Sequence, residues 1–152
     1  MSFNKINTKS ERGFTIVELL IVIVVIGILA AITIVSFNGV TAKANTTSAK
    51  AAASSVLKKA EAYNASENTP TGYPATFGVL TATAAQSEAY GLSGVSLFTA
   101  TTNTVPTKPN FVKFYSCTGN TGTQVAYWDY GTNTWVTLQT GVCTAPITQT
   151  TT

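Results

Sequence analysis

The chain of 152 residues has no histidine and few charges, with nine basic and six acidic side chains. Histidine is the commonest general base and metal ligand, and no two carboxylates stand at a spacing typical of acid–base catalysis or a calcium loop. No phosphate-binding glycine loop, nucleophile elbow or zinc spacing occurs. We therefore expect no enzyme activity, no metal and no cofactor. Basic residues do not cluster among aromatics, so we expect no strong binding of nucleic acid.

The chain does contain one long uncharged apolar run. From Leu19 to Val35 no side chain is charged, and Thr33 is the only polar one. Together with residues 14–17 the run reaches roughly 22 residues, which at about 1.5 Å per residue crosses a hydrocarbon core of about 30 Å. A buried strand needs only about 4 to 8 residues, so the length favours a membrane-spanning helix.

Glu18 is the single acid near the start of this run. A carboxylate within a membrane segment costs about 2.5–3.5 kcal/mol at the helix centre, so such a residue is a functional candidate by default. The nearest cation in the chain is Arg12. Cleavage between Gly13 and Phe14 would create a closer cation, an α-amino group one turn before Glu18. That amine is also able to pair with Glu18 of a neighbouring copy, which would neutralise both charges and fix the axial stagger between subunits.

The segment before the apolar run reads Gly13-Phe14-Thr15-Ile16-Val17-Glu18. Together with that run, it resembles the class III signal of type IV pilins and pseudopilins. The resemblance implies cleavage after Gly13 by a membrane-embedded prepilin peptidase, N-methylation of the new Phe14 amine, and a Glu18 that aligns subunits during assembly. It implies as partners further copies of the chain, the peptidase/N-methyltransferase, a pilus assembly platform and, before assembly, the membrane. Many family members have a helix-breaking proline where this chain has Val35.

Two other interpretations of the apolar run stay open. It is also compatible with the core of a secretory signal peptide cut near Ala30 and Ala31, although such cores have only about 7–15 residues and are normally uncharged. It is also compatible with a plain single-span anchor in which Glu18 is incidental.

The basic residues before Phe14 predict the orientation of the chain in a membrane. Residues 1–13 hold three of the nine basic side chains and one acid, and a basic flank stays cytoplasmic. The rest then enters an oxidising compartment, where Cys117 and Cys143 are expected to form one disulfide. Two buried free thiols are the alternative. The placement of the pair also resembles the disulfide loop of the pilin D-region, without a local motif.

The residues after the apolar run keep a helical pattern. From residue 37 to 66 the sequence is rich in alanine, and apolar residues recur every three or four positions. That stripe consists of Ala49, Ala53, Val56, Ala60 and Tyr63. We expect one helix from Phe14 to the mid-sixties, with two helices broken near Ser36–Gly39 as the alternative.

The C-terminal half predicts a small sheet. Three segments read as strands, namely Phe111–Ser116, Gln124–Tyr130 and Thr134–Gln139, with a hairpin turn at residues 131–133 between the last two. A short helix is predicted over residues 82–89. The aromatic residues of the sheet are expected to form core and cross-strand pairs rather than a ligand platform. They are Tyr127, Trp128, Tyr130 and Trp135.

These elements define an α+β fold, a long N-terminal helix packed on a small antiparallel sheet with a C-terminal disulfide loop. The expected divisions are a cleaved leader (1–13), a transmembrane or filament-core half-helix (14–36), an amphipathic half-helix (37–66), a globular head (67–143) and a flexible threonine-rich tail (144–152).

The expected function is that of a structural pilin, held as a single-pass protein of the inner membrane with its N-terminus in the cytoplasm, and then polymerised into an extracellular filament. The alternatives are a pseudopilin of a type II secretion system, a minor or competence pilin of a DNA-uptake pilus, and a membrane-tethered binding module that never polymerises. Resemblance implies that major pseudopilins often bind calcium and lack this disulfide.

Overall fold

The computed structural model describes residues 13–66, 72–100 and 104–144. The expected leader before Gly13 and the expected tail beyond Thr144 lie outside these residues. The regular elements, in chain order, are α1 (Ile16–Asn64), α2 (Phe77–Thr81), a 3-10 turn (Thr83–Ser87), β1 (Ser96–Leu97), β2 (Phe111–Ser116), a second 3-10 turn (Thr118–Asn120), β3 (Gly122–Asp129) and β4 (Thr134–Gly141). The chain divides into two compact units, residues 1–38 and 39–152.

The described part of the first unit is apolar helix. Two of its polar side chains are satisfied within the helix, because the hydroxyl of Thr33 donates to the carbonyl of Ala30 at 2.9 Å and that of Ser36 to the carbonyl of Ile32 at 3.1 Å. These two hydroxyls therefore need no water in an apolar environment. Helix α1 continues through residues 36–39. The prediction of one helix is confirmed, and the alternative of two helices is wrong.

In the second unit, α1 buries one narrow stripe. Ala49, Ala53, Val56 and Ala60 are at most 1% exposed, and three of the four are alanines, which have high helix propensity and let the sheet approach closely. Tyr63 lies on the same stripe and is half-buried, with its ring edge-on to that of Tyr90 at 5.0 Å. The stripe predicted from the spacing is therefore confirmed.

The sheet has the strand order β1-β2-β3-β4. Strands β2, β3 and β4 pair antiparallel, as predicted, with Val112 opposite Tyr127 and Tyr127 opposite Val136. Strand β1 pairs parallel to β2, so the sheet is mixed rather than purely antiparallel. The prediction missed β1 because two residues show no alternation. The predicted β2 matches the structure, whereas β3 and β4 each include two residues that were not predicted. Tyr130, which was predicted at the end of β3, lies in the turn that follows it.

The two faces of the sheet bury different side chains. The face toward α1 includes Val112, Phe114 and Val125, all fully buried in the main core. The opposite face, which we call the outer face, pairs Trp128 with Trp135 across β3 and β4, with ring centroids 5.4 Å apart. The predicted core and cross-strand roles of the aromatics are confirmed.

The segment between α1 and the sheet seals one end of the core. Helix α2 buries Phe77 and Leu80, and the Leu92 N–H donates to the Leu80 carbonyl at 2.8 Å. The helix predicted over residues 82–89 is instead the 3-10 turn Thr83–Ser87. Ala82 has an extended backbone (φ −57°, ψ 147°), so an α-helix cannot continue from α2 into this segment.

The β3–β4 hairpin is fixed to α1 by one carboxylate and one hydroxyl. Oδ1 of Asp129 accepts the N–H of Gly131 at 2.8 Å and the hydroxyl of Thr46 at 3.1 Å. The same Thr46 hydroxyl oxygen accepts the Tyr130 N–H at 2.9 Å. These bonds, with the Gly131 N–H foremost, lower the pKa of Asp129. The hairpin turn at residues 131–133 is confirmed, and Asn133 adopts a positive φ of 54°, which asparagine tolerates.

We expect Ala53→Leu to lower the free energy of unfolding of the head by about 1–3 kcal/mol, because the larger side chain has no space against the sheet. Ala51→Leu is the matched control, since Ala51 is exposed on the same helix, and its effect should stay within about 0.5 kcal/mol. Urea denaturation of the full chain in detergent, followed by tryptophan fluorescence, measures both. Equal effects of the two substitutions would contradict the buried stripe.

Candidate processing and assembly site

Helix α1 begins with a reciprocal cap between Thr15 and Glu18. The Thr15 N–H and hydroxyl donate to Oε2 of Glu18 at 2.8 and 2.7 Å, and the Glu18 N–H donates to the Thr15 hydroxyl oxygen at 3.2 Å. This is a capping box, in which a threonine and a glutamate three residues later satisfy the first free N–H groups of a helix. The cap was not predicted from the sequence, although the Thr-x-x-Glu spacing before an apolar run is its known signature.

The cap holds the Glu18 carboxylate at the N-terminal end of the helix. This end carries the partial positive charge of the helix dipole, which favours a carboxylate. Within residues 13–66 every hydrogen bond to the carboxylate uses Oε2, and Glu18 makes no ion pair with another described residue. The second oxygen, Oε1, therefore remains for a cation from outside this segment.

Gly13 and Phe14 lie immediately before the helix. Residues 13–15 have no regular secondary structure, and the Phe14 side chain is 88% exposed. An exposed, irregular backbone is the form in which proteases reach a peptide bond. The structure thus brings Gly13, Phe14 and Glu18 into one short segment, at the first turn of α1.

The large apolar side chains of the first unit are all exposed in the isolated chain. Soluble monomers rarely expose contiguous apolar patches above a few hundred Å². Among the described residues, α1 is the one helix long and apolar enough to cross a membrane, by length and composition. Lipid or other protein chains must cover this surface. The exposed residues include Ile16, Leu19, Leu20, Ile23, Ile26, Ile28, Leu29, Ile32, Ile34 and Phe37.

The two cysteines are joined. Cys117 follows β2 and Cys143 follows β4, and their Cα atoms lie 5.2 Å apart. The predicted disulfide is therefore present, and the alternative of two free thiols is wrong. Next to it, the Thr121 hydroxyl donates to the Val142 carbonyl at 2.6 Å and the Val142 N–H donates to the Thr121 carbonyl at 3.0 Å. The end of β4 is thus tied to the β2–β3 connection by both covalent and hydrogen bonds. In the described part of the chain, no three cysteine or carboxylate side chains come together as a metal site would require.

Comparisons with known proteins match part of the chain. Residues 8–34 match the family model of the prokaryotic N-terminal methylation motif. Two fimbrial proteins of Pseudomonas aeruginosa are each 43% identical over 53 residues, which cover 35% of this chain and 34% of each relative. The match thus spans about a third of the length of these curated relatives. No solved structure matches the chain.

The segment matched by the family model contains Gly13, Phe14 and Glu18, and together with the fimbrial relatives it supports a type IV pilin. The long apolar helix, the mixed four-stranded sheet and the C-terminal disulfide fit the α+β pilin fold.

We expect Cys143→Ser to lower the free energy of unfolding of the head by about 3 kcal/mol, because the disulfide closes a loop of 26 residues in the unfolded chain. Urea denaturation under oxidising conditions measures the difference. Dithiothreitol should lower the urea midpoint of the wild-type chain to that of Cys143→Ser, and it should leave the midpoint of the variant unchanged. A wild-type midpoint that does not respond to the reductant would contradict a stabilising role.

Proposed function

We propose that this chain is a structural pilin, which is processed at the Gly13–Phe14 bond and polymerised into a type IV pilus. The observation that carries the proposal is the methylation motif over residues 8–34, followed by a helix whose apolar side chains have no cover within the molecule. A helical fibre covers such a surface, because heterologous contacts that do not close into a ring repeat indefinitely. The findings indicate a structural fimbrial protein, and we infer that it has no enzymatic role.

The first proposed step is removal of the leader, residues 1–13, by a prepilin peptidase that also methylates the new Phe14 amine. The basic residues of the leader keep this end in the cytoplasm, so the chain waits as a single-pass inner-membrane protein. Residues 14–36 are then the membrane half of the helix, 37–66 its amphipathic half, 67–143 the exported head and 144–152 a threonine-rich tail.

The second proposed step is recruitment to an assembly platform and entry into the filament. There Glu18 pairs with the methylated amine of Phe14 on an adjacent copy. Among the described residues, Oε1 has no hydrogen bond and Thr15 fixes the carboxylate through Oε2, so an incoming amine meets an acceptor that is already oriented. In a low-dielectric surrounding the pair removes two isolated charges at once.

A pseudopilin of a type II secretion system is the second candidate, because the motif and the fimbrial relatives do not distinguish it from a pilin. The Cys117–Cys143 disulfide favours the pilus. Electron microscopy of sheared surface material, probed with an antibody against the head, tests the assignment. Labelled fibres are expected on wild-type cells. If wild-type cells carry no labelled fibre and deletion of the gene abolishes protein secretion, the pseudopilin is favoured. If wild-type cells carry no labelled fibre and deletion leaves secretion intact, the non-polymerising tether is favoured.

We expect Gly13→Ala to leave the chain uncut, with residues 1–13 still attached in an intact-mass measurement. A Cβ at Gly13 meets no atom within 4 Å, so the substitution acts on recognition by the peptidase and not on folding. Gly39→Ala is the control, because a Cβ there also meets nothing within 4 Å, and it should be cut normally. An N-terminal Phe14 in the Gly13 variant would contradict the proposed site.

Two substitutions separate the charge of Glu18 from its cap. Glu18→Gln removes the charge but retains an acceptor that the capping box allows. The variant should be processed normally. Its fibre yield should fall at least roughly tenfold, since the amine of the neighbouring copy is left unpaired. Thr15→Ala removes the hydroxyl of the cap, worth about 1 kcal/mol, but retains the charge, and it should lower fibre yield by about fivefold at most, less than Glu18→Gln does.

Quantifying sheared fibres against total processed chain measures both variants. Normal fibre yield from Glu18→Gln, together with a loss in Thr15→Ala, would mean that Glu18 acts as a helix cap and not as the pairing charge.

A further inference from the structure

One edge of the sheet is a strand of eight residues without a partner on its outer side. In the strand order β1-β2-β3-β4, β4 (Thr134–Gly141) is the last strand. Beyond the ladder with β3, no backbone hydrogen bond joins residues 134–141 to any other described residue. Every second residue of such a strand points its N–H and C=O groups outward. We call this side of β4 the free edge.

The free edge lacks the usual protection against another strand. Natural proteins protect an edge with charged side chains, proline or a bulge. Strand β4 has no charged residue and no proline, and its register runs without a break from Thr134 opposite Asp129 to Gly141 opposite Gly122. The lysine of the described strands, Lys113, lies on β2 instead and is 8% exposed. The free edge is thus a continuous template for one more strand.

The side chains beside the free edge leave part of the core uncovered. Val136 and Leu138 pack with Leu57 of α1 against the main core, and all three are only half-buried. On the inner strands of the same face, Val112 and Val125 are fully buried. An added strand would cover Val136 and Leu138, so apolar contact would add to the backbone hydrogen bonds.

The chain contains a segment with the composition of such a strand. Residues 145–152, which lie outside the described part of the chain, carry no charged side chain and are rich in threonine, with Ile147 as their one large apolar residue. Threonine and isoleucine are enriched in strands. Pro146 stands near the start, where a proline does not interrupt a ladder. Because a single strand is not stable alone in water, this segment requires an existing edge to form one.

The path of the chain after β4 leads away from its own free edge. The Val142 N–H donates to the Thr121 carbonyl at 3.0 Å, and Cys143 is bonded to Cys117 after β2. Strands lie about 4.8 Å apart, so a return past β3 and β4 requires about 12 Å and uses about four residues. The free edge of a neighbouring copy requires no such return.

We propose that residues 147–152 of one copy pair, as an additional strand, with the free edge of β4 on a neighbouring copy. The inference rests on the proposed fibre, which supplies the neighbour. The contact joins a tail to an edge, so it is heterologous and repeats along a fibre. Backbone hydrogen bonds give the contact its affinity, and Ile147 on the side of α1 covers Val136 and Leu138.

Disulfide cross-linking in purified fibres tests the pairing. Thr137→Cys, at an exposed position of β4, is combined with cysteine at each of residues 147–151 in turn. Cys117 and Cys143 are bonded to each other, so each double variant adds one reactive pair. After oxidation with copper phenanthroline, non-reducing denaturing electrophoresis should show a ladder of linked chains. Cross-linking should be strong at every second tail position, because the side chains of a strand alternate between two faces. Lys58→Cys, at an exposed position of α1, replaces Thr137→Cys in the control and should give no alternation.

Each other outcome contradicts the proposal. Fibres without cross-links, or with equal cross-linking at all tail positions, would overturn the pairing and leave the proposed function intact. Cross-links within single chains would mean that each tail covers its own edge. Dimers from Thr137→Cys alone would mean that two β4 edges pair with each other. Absence of wild-type fibres would overturn the proposed function and this inference with it.

A second pair of variants decides if the cysteine variants do not assemble. Gln149→Pro with Thr150→Pro removes two consecutive N–H groups, one of which faces the partner strand in either register. Fibres of this variant should dissociate at a lower temperature than wild-type fibres. Gln149→Ser with Thr150→Ser retains both N–H groups and should dissociate as the wild type does. Equal dissociation temperatures for all three would contradict the proposal.

Discussion

An apolar surface without any cover inside the molecule determines the behaviour of this chain. Residues 14–37 turn their large side chains outward on a helix in which the hydroxyls of Thr33 and Ser36 bond to the backbone. Because water solvates such a surface only at a large free-energy cost, the surface requires an apolar environment. Lipid and a bundle of identical helices are both such environments. In the proposed function, a pilin that waits in a membrane and then enters a filament exchanges the first for the second without exposing this surface to water.

The single acid in that surface matters because its cap and the proposed intermolecular pairing use separate oxygen atoms. One oxygen of Glu18 closes the cap with Thr15, which stabilises the first turn of α1 and orients the carboxylate. The other oxygen is left for a cation. A carboxylate that is already oriented loses less side-chain entropy when it binds a partner than a freely rotating one. The cap is thus part of how the proposed intermolecular pairing becomes favourable, rather than a competitor to it.

The sequence predicted well where a periodic pattern or a chemical rule applied. Alanines at intervals of three and four identified the buried stripe of α1, the alternation from Phe111 to Ser116 identified β2, and the expected compartment paired Cys117 with Cys143. It failed where the signal was short or set by distant residues. Strand β1 has two residues and forms by pairing with β2, and the 3-10 turn after Ala82 depends on one extended backbone conformation.

Lys113 shows the limit of such reasoning most clearly. The alternation from Phe111 to Ser116 puts Lys113 on the face opposite to Val112 and Phe114, and a lysine on a strand is ordinarily solvated. Its burial depends on Phe98 and Trp135, which come from segments 15 and 22 positions away in the sequence and meet only in the folded sheet. The main core resembles that of any small α+β head, with apolar side chains between helix and sheet. On the outer face the indole N–H groups of Trp128 and Trp135 are buried without an acceptor among the described residues, which costs stability.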